Sequence, residues 1–93
     1  MSDTKQTTKH WNVEISIDEE NGQTRAEAFL VSPDKERLTG MGRARCNPAD
    51  ADVPKIGDEL AVARALAELS HRLLHTAADD IEGITAQPAR LDY

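Results

Sequence analysis

Ninety-three residues suffice for one domain with a small core, and a formal net charge of −6, from 17 acidic and 11 basic side chains, sets a field that opposes nucleic acid. Phosphate neutralisation by Lys and Arg supplies much of nucleic-acid affinity, so no binding to free DNA is expected. A single cysteine, Cys46, excludes an intrachain disulfide, and no apolar run approaches the roughly 18 residues that a membrane span needs.

The aromatic inventory is Trp11, Phe29 and Tyr93. Large rings therefore supply little of the core, and a domain with so thin an interior often gains stability by association. That is the first ground for expecting a homodimer. The polar segment MSDTKQTTKH has no apolar signal core. The expected compartment is the cytoplasm, with no membrane partner and with Cys46 a buried, inert thiol.

Residues 1–9 are polar and are expected to form a disordered tail ahead of a single domain over residues 10–93. From His10 onward, Trp11, Val13, Ile15 and Ile17 alternate with Asn12, Glu14, Ser16 and Asp18, which is the period of a half-buried strand. Asn21-Gly22 then signals a hairpin. Thr24 to Val31 is the second expected strand. Thr24, Ala26, Ala28 and Leu30 share one face, and Arg25, Glu27, Phe29 and Val31 the other. Ser32-Pro33-Asp34-Lys35 supplies a turn. Leu38 to Cys46 is the third strand, with Leu38, Gly40, Gly42, Ala44 and Cys46 on one side and Thr39, Met41, Arg43 and Arg45 on the other.

Ala26, Ala28, Gly40, Gly42 and Ala44 would together make a shallow floor on which a helix can lie close. The expected helix runs from about Gly57 to Thr76, with Pro54 and Gly57 as breakers before it and Asp58 and Glu59 at its positive end. Its packing stripe is expected at Leu60, Ala63, Leu66 or Ala67, Ser70, Leu73 or Leu74, and Ala77. Glu68 and Arg72, four apart, form a modest stabilising pair. Asp79 and Glu82 imitate a capping box for a further short turn that Gly83 stops, and an extended tail follows from about residue 85.

The fold class is thus α+β: a three-stranded antiparallel meander followed by one long helix, βββα, in two layers. One helix covers one face of the sheet. The other face carries Phe29, Val31 and Met41 among charged residues, and these three are the candidate dimer face. Face packing and strand exchange both remain open as ways to form the dimer.

Chemistry is sparse. His71, His75 and Asp79 are spaced four apart on the helix, but no HExxH motif or second cysteine accompanies them. Asp50, Asp52, Asp58 and Glu59 lack the spacing of a calcium loop, and Gly40-Met41-Gly42 lacks the setting of a phosphate loop. No catalytic residue, cofactor or metal site is expected, and the chain is expected not to be an enzyme. Arg25, Arg43 and Arg45 share one sheet face and, with Arg64 and Arg72 on the helix, are the candidate contacts for RNA or the ribosome. Phe29 is the only ring beside them, and Glu27 stands between them, suggesting a mixed-charge face with a Glu27–Arg43 cross-strand pair.

Asn47-Pro48-Ala49-Asp50, Ile56-Gly57-Asp58-Glu59-Leu60, Ala63-Arg64-Ala65-Leu66 and Gln87-Pro88-Ala89, with HWNVEISIDE upstream and DIEGITAQPARLDY downstream, carry a further signal. Over Trp11 to Tyr93 the chain resembles a family of small actinobacterial proteins of unknown function, some of them in dormancy or hypoxia regulons. The resemblance implies a fold like that of double-stranded-RNA-binding domains, similarity to ribosome hibernation-promoting factors, and a dimer able to exchange elements. It brings no catalytic residues. The chain departs from true RNA binders: no helix precedes its strands, and Asp58-Glu59 stands where their last helix opens with lysines. Two functions follow as expectations. One is a stress-linked, dimeric, ribosome-associated factor. The other is a protein-interaction or structural module that binds no nucleic acid.

Overall fold

Two residues in the left-handed region, Asn21 (φ 52°) and Gly22 (φ 74°), close the first hairpin. Both central positions of a two-residue type I′ turn require that conformation, and its twist matches the paired strands. The computed structural model describes residues 6–32, 37–45 and 54–85. Within them lie β1 (Asn12–Glu20), β2 (Gln23–Val31), β3 (Leu38–Arg45) and α1 (Pro54–Thr85). The strands form one antiparallel sheet in the order β1-β2-β3, so the βββα architecture is the one the alternation predicts. The expected turn at Pro33, Cys46, the Asn47–Asp50 segment and the C-terminal tail fall outside the described residues.

The register places Ala28 between Ile15 and Gly40, Ala26 between Ile17 and Gly42, and Thr24 opposite Ala44. Directly opposed residues share a face, so this side of the sheet is a row of aliphatic residues on β1 and a floor of alanine and glycine on β2 and β3. The core is built on that floor: Ala26, Ala28, Leu30 and Ala44 from the sheet and Ala61, Ala65 and Leu69 from the helix, with Leu38, Val62 and Leu73 packed at its margin. A Cβ on Gly40 would run into the backbone of Ala65 and Leu69, and one on Gly42 into that of Ala61 and Ala65. Helix backbone therefore rests on strand backbone.

That close approach corrects the expected packing stripe. Leu60 and Leu66 are 46% and 39% exposed, and Ala63, Ala67 and Ala77 also face outward. The buried positions are Ala61, Ala65 and Leu69. The glycine floor demands the smallest side chains at the point of contact, and Leu60 or Leu66 there would hold the helix away. The helix is also longer than expected. Pro54 is its first residue rather than a breaker ahead of it, a position where the missing N–H costs nothing. Asp58 and Glu59 consequently sit in the second turn. Asp79 to Gly83 form no separate turn, because the helix continues through them to Thr85, whose Oγ1 donates to the Ile81 carbonyl at 2.9 Å.

β1 is a second correction. It is expected to be half-buried, yet all nine residues are exposed. A helix about 10 Å across covers roughly two strands spaced ~4.8 Å apart, and the glycines centre this one on β3 and β2. Val13, Ile15 and Ile17, on the helix-side face, are left 43%, 41% and 42% exposed.

Candidate functional site

The outer face of the sheet carries the expected basic residues. Arg25 lies opposite Arg43, Gln23 opposite Arg45, and Asp18 opposite Arg25. The three arginines are thus neighbours at the hairpin end, and like charges directly opposed repel unless a carboxylate intervenes. Asp18, Glu19 and Glu20 line a shallow depression together with Gln23, Arg25 and Arg43. The expected Glu27–Arg43 pair is not directly opposed, since Glu27 faces Met41. Arg25 Nη2 reaches instead to Met41 Sδ at 3.9 Å.

Phe29, Val31 and Met41 share the same outer face at its other end. Phe29 and Met41 are half-buried, and Val31 is 49% exposed. They are brought together, but the arginine laid along Met41 makes the patch small.

The helix arginines serve the edge of β3. Arg64 Nη1 donates to the Arg43 carbonyl at 2.6 Å, and the Met41 amide donates to Glu68 Oε1 at 3.2 Å. Arg72 in turn pairs with Glu68 at 3.4 Å. An edge strand presents unpaired amides and carbonyls to any passing strand. Here Arg64 and Glu68 occupy that edge at Met41 and Arg43. The structure sets Arg64 beside Arg43, and so beside the outer arginines, while Arg72 lies two turns further along the helix.

β1 is the opposite edge. Trp11, at 50% exposure, continues the Val13, Ile15, Ile17 row. The flank of α1 that faces this row follows from helix geometry. Arg64 and Glu68 mark the β3 side, and Val62, Leu66 and Leu73 lie about 160–200° around the helix from Arg64 at 100° per residue. Aliphatic side chains therefore line both the floor and the wall of an open lane over β1. Alternation alone does not reveal this lane, because it shows which residues share a face and not whether that face is covered. The signal was present: the small-residue floor is confined to β2 and β3, and a helix seated on it cannot also cover a row of Val and Ile.

His71, His75 and Asp79 fall on an exposed stretch of α1. Among the described residues no group of His, Cys, Asp and Glu is disposed to hold a metal ion. No described helix is long and apolar enough to cross a membrane.

Comparison with known proteins identifies the lineage. The Rv2632c-like family model matches residues 9–90, so the chain belongs to the Rv2632c-like family. The uncharacterized protein MT1780 of Mycobacterium tuberculosis (strain CDC 1551 / Oshkosh) is 59% identical over 85 residues, 91% of this chain and 89% of that one. The uncharacterized protein Rv2632c of Mycobacterium tuberculosis (strain ATCC 25618 / H37Rv) is 41% identical over 88 residues, 95% of this chain and 94% of that one. The crystal structure of Rv2632c superposes with a TM-score of 0.82 over 91% of this chain and 100% of that one, at 41% identity.

Proposed function

We propose that this member of the Rv2632c-like family is a non-enzymatic association module whose working surface is the open flank of β1. One observation carries the proposal: Val13, Ile15 and Ile17 on the edge strand, with Trp11 just ahead of it, form a contiguous apolar row, each between 41% and 50% exposed. Scattered exposed apolar residues are ordinary, whereas a contiguous row beside unpaired strand amides is the usual form of a protein-binding surface. The test is affinity capture from nuclease-treated lysate of cells that also express an untagged copy of the chain. Wild-type bait should retain a protein in near-stoichiometric amount, and bait carrying Ile15→Lys and Ile17→Lys should lose it. Equal retention by both baits removes the reading.

The arginine cluster supports a second reading, a cytoplasmic, ribosome-associated factor of the hibernation type that acts as a dimer in stress or dormancy. Arg25, Arg43 and Arg45 are adjacent in the sheet register and Arg64 is bonded to the Arg43 backbone, which concentrates positive charge at one corner of an acidic chain. Binding through it should weaken as salt rises. Co-sedimentation with ribosomal particles at low salt should be lost in an Arg43→Glu, Arg45→Glu variant. Sedimentation of that variant at the wild-type level would count against the reading.

A further inference from the structure

We propose that the partner of the β1 edge is a second copy of this chain, paired antiparallel about a two-fold axis at Ile15 to make one six-stranded sheet; this rests on the association reading above. Hairpin geometry fixes which backbone groups of the described strands point away from the sheet. In a two-residue hairpin the residues flanking the turn, Glu20 and Gln23, exchange hydrogen bonds, and every second residue from there does the same. Ser16, Asp18 and Glu14 therefore point their amides and carbonyls inward to β2. Val13, Ile15, Ile17 and Glu19 point theirs outward. The same parity carried to β3 turns Met41 and Arg43 outward, which is where Glu68 accepts from the Met41 amide and Arg64 donates to the Arg43 carbonyl. Among the described residues the β3 edge is thus occupied by the chain's own helix, and the β1 edge is the one presented for pairing.

Charge and the length of strand that can pair together select the register. A two-fold axis normal to the sheet keeps the aliphatic row of both copies on one side. Centred on Glu14 it opposes two Glu14 side chains. Centred on Ser16 it opposes Glu14 with Asp18, and centred on Ile17 it opposes Glu14 with Glu20. Centred on Ile15 it sets Glu14 against Ser16, Asn12 against Asp18 and Val13 against Ile17, with no carboxylate directly facing another. Like charges directly opposed destabilise a sheet, so among these four registers only the one at Ile15 is free of that penalty; an axis at Val13 is free of it too, but it sets Ile17 against Lys9, ahead of the strand, and so pairs fewer residues of β1. It also makes Ile15 a hydrogen-bonded pair with its own copy, joins the two aliphatic rows and doubles the apolar floor between the two helices. Carboxylates remain diagonal to one another, Glu14 to the Glu14 and Asp18 of the second copy, so salt should tighten this dimer. That is the opposite sign to ribosome binding.

The experiment uses the full chain. Sedimentation equilibrium should give twice the 10.2 kDa chain mass, with a larger dimer fraction at higher salt. Ile15→Lys, at an exposed edge position where lysine is tolerated, should raise the dimer dissociation constant on the order of 100-fold while the circular dichroism stays native. In a Cys46→Ser background, Ile15→Cys should oxidise to a covalent dimer, because the Cα atoms of a hydrogen-bonded pair are about 5.5 Å apart, within disulfide reach. Val13→Cys should not, because the two copies of that residue would be roughly 14 Å apart along the strand. Wild-type amide exchange gives an independent reading: the Val13, Ile15 and Ile17 amides should be protected in the dimer. A monomeric wild type, a dimer indifferent to Ile15→Lys, or crosslinking through Val13→Cys in preference to Ile15→Cys overturns the proposal. If the wild type is monomeric yet captures another protein through β1, the second copy is wrong and the association reading stands. If it captures nothing, both fall.

Discussion

Gly42→Ala is expected to lower stability by about 3 kcal/mol, at the upper end of overpacking costs. The added Cβ meets the backbone of Ala61 and Ala65 rather than a movable side chain, so the only relief is to lift α1 from the sheet. Lifting it loosens every contact in a core that, among the described residues, consists of four sheet residues and three helix residues. Against a total stability of about 5–15 kcal/mol, the change should lower the melting temperature by on the order of 10–20 °C. Gly40→Ala meets Ala65 and Leu69 in the same way and should cost a similar amount. The two are not independent, since one displacement of the helix relieves both. The double variant should therefore cost clearly less than the sum. Gly83→Ala provides the contrast. Nothing lies within 4 Å of its Cβ position, it sits inside a helix, and alanine there should stabilise by up to about 1 kcal/mol. A thermal melt of Gly42→Ala within a degree or two of wild type would show that the helix does not rest on the sheet backbone.

Most of the architecture was legible because each strand declares its own period. The alternation from Trp11, the Asn21-Gly22 turn and the two faces of β2 follow from side-chain direction alone, and the observed register keeps them. The glycine and alanine floor was also legible, since five small residues falling on one sheet face have few other uses. Other features were not. The helix start is ambiguous in the sequence, because the proline at 54 suits a first helical position as well as it suits a break before the helix. The exposure of β1 is not in its pattern, because alternation reports which residues share a face, not whether anything covers that face. The clamp of Arg64 and Glu68 on the β3 edge depends on where the helix lands, which no local pattern encodes. Among candidate contacts, the grouping of Arg25, Arg43 and Arg45 was visible from strand parity, whereas the meeting of Arg64 with Arg43 needed the helix position.

The helix explains why its stripe was the hardest feature to choose, and its leucines give the second large effect. Two apolar faces run along α1. One is Ala61, Ala65 and Leu69 and is buried; the other, almost opposite, includes Ile56, Leu60 and Ile81 and is 53%, 46% and 40% exposed. Hydrophobic spacing fits both, and the second holds the bulkier residues, so apolarity alone favours the wrong one. The deciding quantity is the distance of approach, set by glycines on another element. Leu69→Ala should therefore cost roughly 2–5 kcal/mol, as deletion of a buried leucine does. Leu69 is 3% exposed, and among the described residues Leu30 at 4% is the only other large buried side chain of the core. Leu38, Val62 and Leu73 at the core margin can close only part of the cavity, so the cost should fall well inside that range. Leu60→Ala removes the same atoms from a position 46% exposed. It leaves no cavity and improves helix propensity slightly, so it should change stability by less than about 1 kcal/mol. Urea unfolding of the two variants, compared at midpoint and with equal slopes, separates the faces directly. Equal losses would mean that α1 is rotated from the arrangement described. A larger loss at Leu60 than at Leu69 would place the larger stripe on the sheet and remove the reason for the open lane over β1.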